Sequence, residues 1–363
     1  MGSESANDQT SVDPASLARG RGALSNPSSR FEKLHVERDP EDDSGPLSGR
    51  KTEFYRDTSE TLINYNESPD IGFEASINPY RGCEHGCIYC YARPTHEYLG
   101  FSAGLDFETR IMVKDRAPEL LRRELSSPRW KPQVIALSGV TDPYQPVEKK
   151  LRLTRSCLEV LVEFRNPVGI VTKNHLVTRD LDLLAVLAAS NAAMVYVSVT
   201  TLDRELAAKM EPRTSQPQHR LDAIARLAEA GVPVGVMVAP VIPGLTDHEM
   251  PSILEAAAAA GARSAGYVVL RLPHGLSSLF PEWLQTHYPL RHDKVLNQIR
   301  SVREGKLNSA EFGTRFQGKG LLAEQIAQIF RVSCQRYGIN SASLSLSTAQ
   351  FRRPGGEQLD LFR

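Results

Sequence analysis

Surplus charge is missing from this chain: 43 basic residues balance 43 acidic ones over 363 positions. Whole-molecule attraction to nucleic acid or to a membrane surface therefore has no support, although the balance permits a local basic patch. No apolar run is long enough to cross a bilayer, and the polar N-terminus lacks the apolar stretch of a signal peptide. Cysteine is scarce, five residues in all, and three of them crowd into one short run. That distribution argues against a disulfide scaffold and for a reducing, cytoplasmic setting. The length allows a large core in one or two domains.

The crowded cysteines are Cys83, Cys87 and Cys90, in the run Arg81-Gly82-Cys83-Glu84-His85-Gly86-Cys87-Ile88-Tyr89-Cys90-Tyr91. The C-x3-C-x2-C spacing supplies three thiolates from one tight loop. A structural zinc site wants four protein ligands, and an ordinary iron–sulfur cluster also takes four thiolates. A set of three suggests a cluster with one metal open to a further ligand. The competing reading is a zinc knuckle that borrows His85 or His96, neither of which stands at a common finger spacing. Gly82 and Gly86 give the backbone the freedom to wrap around a cluster. Cys157 and Cys334 fall inside helical patterns and read as buried structural thiols. They lie too far apart in sequence to suggest a second cluster.

Residues 1–50 are rich in Ser, Asp, Gly, Arg and Pro without periodicity, and read as a disordered arm. Arg19-Gly20-Arg21-Gly22 and Arg30-Phe31 within it could touch a polyanion or dock back on the core, but a solvated arm is the expectation. From about residue 75, apolar runs alternate with amphipathic stretches. Candidate strands are 75–80, 133–139, 168–173, 194–200, 233–241 and 265–271. Candidate helices lie near 115–126, 152–165, 178–190, 218–230 and 247–261, with apolar residues at three- and four-residue spacing, as in Leu221, Ile224, Ala225 and Ala228. Continuous β-branched runs suit parallel strands buried on both faces. The fold class is α/β, a partial (β/α)6 barrel, since a closed barrel has eight units. Expected boundaries are a core over 51–275, a helical extension over 276–340 and a flexible tail over 341–363. The extension carries a turn at Glu304–Lys306 and a helix near 320–337 closed by Gly338.

In such an architecture the site gathers at the strand C-termini, where the cysteine loop falls. With aromatic Tyr89 before the third cysteine, the run resembles the signature of the radical S-adenosylmethionine (radical SAM) superfamily. The resemblance implies a four-iron, four-sulfur cluster on Cys83, Cys87 and Cys90, with SAM on the fourth iron. A one-electron reductant such as flavodoxin or ferredoxin then drives cleavage of SAM to methionine and a 5′-deoxyadenosyl radical. Superfamily cores are likewise partial barrels with the cluster loop after the first strand.

Other strand ends supply candidate SAM ligands. Ser138, Gly139, Thr141 and Asp142 follow the second strand and suit an ammonium group; a plain Asp-Pro turn is the alternative. Lys173 ends the third strand and calls for a carboxylate partner, because burying an unpaired ammonium is costly. Around Lys173 and Ser198 the chain resembles the spore photoproduct lyase branch, in which a Lys and a Ser at these strand ends hold SAM. Ala239, in Ala239-Pro240-Val241-Ile242-Pro243-Gly244, resembles the apolar segment beside the adenine. The lyases also place tyrosines around the third cysteine in a hydrogen-atom relay, which implies such a role for Tyr91 and SAM contact for Tyr89. One departure stands out. The lyases carry a catalytic cysteine after the second strand, where this chain has Ser138-Gly139-Val140-Thr141, so the resemblance stops short of photoproduct cleavage. Arg271 and His274, after the sixth strand, face either substrate or solvent.

At the other end, Gln358, Leu359, Asp360, Leu361 and Phe362 follow a Pro-Gly-Gly stretch that frees them from the core. They resemble the pentapeptide with which bacterial replication and repair proteins bind the DNA sliding clamp, Leu361 and Phe362 serving as apolar anchors. Three functions compete: a radical SAM enzyme in DNA repair or nucleic-acid maintenance, a radical SAM enzyme modifying protein, tRNA or metabolite, and a non-catalytic metal-binding module recruited to the clamp. Iron content and SAM cleavage would separate enzyme from module.

Overall fold

Continuous β-branched runs produce the expected wall. Ten strands occur among the described residues, which in this computed structural model are 20–31, 51–342 and 345–354. They are β1 (Glu53–Arg56), β2 (Ile63–Tyr65), β3 (Ala75–Ile77), β4 (Tyr80–Arg81), β5 (Arg110–Val113), β6 (Ile135–Leu137), β7 (Val168–Thr172), β8 (Ala193–Ser198), β9 (Val234–Val241) and β10 (Ser264–Val269). A seven-stranded sheet runs β10-β9-β8-β7-β6-β3-β2. From β3 to β10 every pairing is parallel, and β2 adds an antiparallel edge. The central strands Ala193–Ser198 and Val234–Val241 are buried along most of their length, as strands covered on both faces must be.

The helices Leu153–Phe164, Leu181–Ala188, Pro217–Glu229 and Met250–Ala259 alternate with β6 to β10, and Ala117–Ser126 precedes β6. All five match the segments read as helical, Pro217–Glu229 beginning one residue early. Strand and helix residues such as Ile170, Val195, Val236, Leu158, Ile224 and Ile253 form one apolar cluster. The sheet stays open, because β2 and β10 are its two ends. The architecture is the partial (β/α)6 barrel expected.

Two differences from expectation concern strands. The run 75–80 splits into β3 and β4, which belong to different sheets. Pro79 lies between them and offers no N–H to a ladder, while its carbonyl accepts from the Lys114 amide at 3.0 Å. The second sheet, β1-β5-β4, was not anticipated; its strands have at most four residues and β1 is largely exposed, so no apolar alternation announces them.

The C-terminal helices serve two clusters. Leu276–His287 packs Leu276, Phe280 and Trp283 against Ile88 and Tyr89 of the cysteine loop. Leu321–Arg336 lies against the barrel, with the Phe330 ring tilted against Tyr267 of β10 at 4.7 Å between centres. Glu304 and Gly305 take positive φ at the expected turn, and Gly338 (φ +68°) ends the last helix. Buried Arg303 ties this region to the end of β10 by donating to the carbonyls of Val269 and Leu270.

The solvated arm is not what residues 20–31 form. Ala23 is buried, and the Gly22 and Ala23 amides donate to Glu108 at 3.0 and 2.8 Å. The docked alternative holds for this stretch. Residues 358–362, with the clamp-like pentapeptide, lie outside the described residues. Among those described, no helix is long and apolar enough to cross a membrane.

Candidate active site

The cysteine loop follows β4 and is fastened at nearly every turn. The Cys83 amide donates to the Phe107 carbonyl at 2.9 Å, the Cys90 amide to Cys87 at 3.2 Å, and the Ile88 amide to Met210 at 3.0 Å. Gly82 and Gly86 take φ +81° and +68°. At Gly86 a β-carbon would run into the Glu108 carboxylate, and one on Gly22 would collide with the Gly86 carbonyl oxygen. Arg93 supports the loop from inside. It donates to the Gly86 and Cys87 carbonyls at 3.2 and 3.0 Å and pairs with Glu108 at 2.5 Å, with both side chains fully buried.

The segment after β6 grips the loop as well. Thr141 donates to the Gly82 carbonyl at 2.6 Å, and Gln145 receives the Glu84 amide at 2.9 Å. Asp142 accepts from Thr172 at 2.7 Å, from the Lys173 amide at 2.8 Å and from the Tyr144 amide at 2.8 Å, and lies 3.3 Å from the His85 imidazole. Burial opposes charge on His85, but Asp142 and then Cys83 raise its pKa to about 10. Asp142 and Thr141 are thus engaged in holding the loop. Ser138 turns its hydroxyl on the Thr141 carbonyl at 3.3 Å. Gly139 is open, since a β-carbon there would come no closer than 3.8 Å to Asn78.

The ends of β7, β8 and β9 converge on a buried polar network. Lys173 donates to the Ala239 carbonyl at 2.9 Å, stands 3.6 Å from Glu211, and lies 5.6 Å from the centre of the Tyr89 ring. Thr200 lies 2.8 Å from Glu211 and 3.1 Å from the Ala239 carbonyl. The Tyr89 hydroxyl donates to Glu211, which also pairs with buried Arg220. Arg220 donates in turn to the Ser198 carbonyl at 3.1 Å. Burial lowers the Lys173 pKa to about 8, opposed by Cys87 and reinforced by Arg220. Burial likewise raises the Cys87 thiol well above its usual range, with Glu211 adding to the effect. Ser198 is largely buried as a residue, and its hydroxyl makes no hydrogen bond to the described residues. Asp203 serves as the cap of helix Arg204–Met210, accepting from the Glu205 and Leu206 amides.

Tyr91 stands apart from these groups. It is 53 % exposed, its hydroxyl donates to the Gly139 carbonyl at 2.6 Å, and the Arg271 guanidinium lies 5.7 Å from its ring centre. Arg271 also lies 5.4 Å from the Phe316 ring and forms no ion pair among the described residues. His274 (φ +51°) lies 3.1 Å from Arg30.

Comparison with known proteins agrees with this arrangement. Residues 77–257 match the family model of the Radical SAM superfamily. An uncharacterised protein of Methanocaldococcus jannaschii is 30 % identical over 199 residues, covering 55 % of this chain and 71 % of that protein. The chain belongs to the radical SAM superfamily. An uncharacterised Mycobacterium tuberculosis protein is 41 % identical over 221 residues, 60 % of this chain and 65 % of its own length, so the chain spans just under two thirds of that relative. The Radical SAM Nalpha-GlyT isomerase of Pseudomonas phage M6 is 28 % identical over 206 residues, 56 % of this chain and 40 % of that protein. Among solved structures, spore photoproduct lyase aligns with a TM-score of 0.55 at 18 % identity, over 79 % of this chain and 80 % of the lyase. A form with bound AdoMet and dinucleoside spore photoproduct gives 0.53 at 17 %.

A radical SAM enzyme uses a four-iron cluster and SAM, and the residues present fit that pair. Cys83, Cys87 and Cys90 are all free thiols. No three His, Cys, Asp or Glu side chains among the described residues converge on a point where one metal ion could sit. His85 is engaged by Asp142 and by Asn174 at 3.1 Å, and His96 by the Arg110 carbonyl at 2.8 Å.

Sequence reasoning missed Glu108, Arg93, Glu211 and Arg220. Thr200 lay in view at a strand end; the two carboxylates and two guanidiniums sit in ordinary helical or loop contexts with no local signal.

Proposed function

We propose that this radical SAM enzyme acts on a nucleic-acid base, with the radical generated over the cysteine loop and the substrate entering past Tyr91. Cys83, Cys87 and Cys90 would hold the cluster. The open backbone at Ser138–Gly139, the free Ser198 hydroxyl, and Lys173 with Ala239 would hold SAM, with Tyr89 bracing Lys173 from below. When bound, these cofactors supply a 5′-deoxyadenosyl radical that abstracts hydrogen. The exposed phenol of Tyr91 stands where a hydrogen atom could be relayed.

Arg271 is the observation that carries the substrate class. A half-buried guanidinium without an acidic partner, held between the Tyr91 and Phe316 rings, wants an anionic ligand. Phe312 and Tyr98 are 58 % and 73 % exposed, and Arg315 and Arg30, which pair with Asp70 and Glu97, lie against their rings at 4.7 and 5.7 Å. Arginine interleaved with exposed aromatic faces suits phosphates and unstacked bases. A structurally similar spore photoproduct lyase bound to dinucleoside spore photoproduct points the same way. So does the clamp-like run Gln358 to Phe362, which would bring the enzyme to replicating DNA.

Binding of a thymine-rich single-stranded oligonucleotide tests this reading. Arg271→Gln should weaken it and reduce the salt slope by about one ion, and Phe312→Ala should weaken it by about 1–3 kcal/mol. SAM affinity should not change in either variant. Unchanged oligonucleotide affinity with weakened SAM binding in Arg271→Gln would assign the arginine to the cofactor and defeat the proposal.

A further inference from the structure

On the flank of the cysteine loop lies a cleft of about 550 Å3 whose charge departs from the neutrality of the whole chain. Among the described residues, Arg21, Lys51, Lys150 and Arg213 line it, against a single carboxylate, Glu84. Arg21 and Arg213 both donate to the Thr52 hydroxyl, at 3.2 and 3.3 Å, so two guanidiniums are held side by side. Arg213 pairs with Glu84 at 3.1 Å. Lys51 and Lys150 have no acidic partner among the described residues. Burial lowers the pKa of Arg21 and the neighbouring charge of Arg213 lowers it further, against the smaller opposing effect of Glu108 and Glu84. Like charges crowded this way are stabilised by an incoming anionic surface. Phe54, half-exposed, adds an apolar contact to the rim.

Position gives the cleft its meaning. Glu84 is bonded directly to Cys83, and its carboxylate accepts from the Val147 amide at 2.7 Å while its own amide donates to Gln145. The wall of the cleft is therefore the outer surface of the cysteine loop, held rigidly.

We propose that this cleft is the docking site of a one-electron carrier protein with an acidic surface around its redox centre. The inference rests on the cysteine loop carrying a cluster. The carrier loses one electron at this wall and the loop's cluster gains it, with no bond made or broken. The cleft shares none of its lining residues with the rim beside Tyr91.

The test uses full-length, cluster-loaded protein and reduced flavodoxin, an acidic flavin carrier. Bleaching of the cluster's visible absorbance is followed with flavodoxin and, separately, with dithionite. In the Lys51→Glu/Lys150→Glu variant, bleaching by flavodoxin should slow by about tenfold or more at low salt, the scale of electrostatic steering. Added salt should slow the wild type toward the variant. Binding of oxidised flavodoxin should weaken in parallel, and bleaching by dithionite should be unchanged. Equal flavodoxin rates in variant and wild type overturn the docking site. So does a variant that keeps those rates but loses oligonucleotide binding, which would make the cleft a phosphate groove. A wild type with no dithionite-bleachable absorbance would refute the cluster itself, a failure distinct from that of the docking site.

Discussion

The ground beneath the cysteine loop and the rim beside it are built on opposite plans. Beneath the loop, charges are buried and every one has a partner: Glu108 with Arg93, Glu211 with Arg220 and Lys173, Asp142 with His85. At the rim, Tyr91, Tyr98, Phe312 and Arg271 are exposed or lack a charged partner. Removing one member of a buried pair strands the other, which is far more costly than losing an exposed contact. The foundation therefore fixes geometry, while the rim keeps its binding capacity for something else.

The sharpest way to break this contrast is Glu108→Ala. It leaves buried Arg93 unpaired and should destabilise the protein by about 3–5 kcal/mol, read as a shift in the urea midpoint. A loss below about 1 kcal/mol would mean that the foundation is not under the tension described.

A smaller effect is expected from His96, buried against Phe101 and Phe107. Burial lowers its pKa from 6.5 to about 4. Above pH 6.5 neither folded nor unfolded protein is protonated there. Between 6.5 and 4 the unfolded chain binds a proton that the folded one refuses, so stability falls as the pH drops through that window. The loss should reach about 3 kcal/mol at most. Unfolding titrations at pH 7 and pH 4.5 should show a smaller drop in His96→Phe than in the wild type; identical drops would remove His96 from the acid response.

The least effect belongs to the rim. Tyr91→Phe loses one exposed hydrogen bond to Gly139 and should change stability by no more than about 0.5 kcal/mol, while slowing turnover on the true substrate if the phenol relays hydrogen. A large stability change would move Tyr91 into the foundation and sharpen the boundary in a different place.

Legibility followed the same division. Strands such as Ala193–Ser198 and Val234–Val241 announce themselves because burial on both faces demands mostly apolar residues. The three cysteines were legible because their spacing is local. Lys173 and Ser198 were named as candidates from their places at strand ends, although sequence could not say that Lys173 already has Glu211 and the Ala239 carbonyl for company. Asp142 was read as a ligand for an ammonium group, but its partners prove to be Thr172, His85 and backbone amides. The Glu108–Arg93 and Glu211–Arg220 pairs escaped because long-range charge pairing leaves no periodic mark. The β1-β5-β4 sheet escaped because its strands are too short to show alternation.

Residues 20–31 carry a consequence for anyone trimming this protein. Judged by composition, a chain begun at residue 51 would discard only polar linker. It would in fact strip the Gly22 and Ala23 amides from a buried carboxylate, along with the contacts of Ser25 with Glu282 and of Arg30 with Glu97. Each donor lost from a buried charge costs about 1–3 kcal/mol. A truncated form that purified poorly or arrived colourless would therefore say little about the enzyme and much about where it was cut.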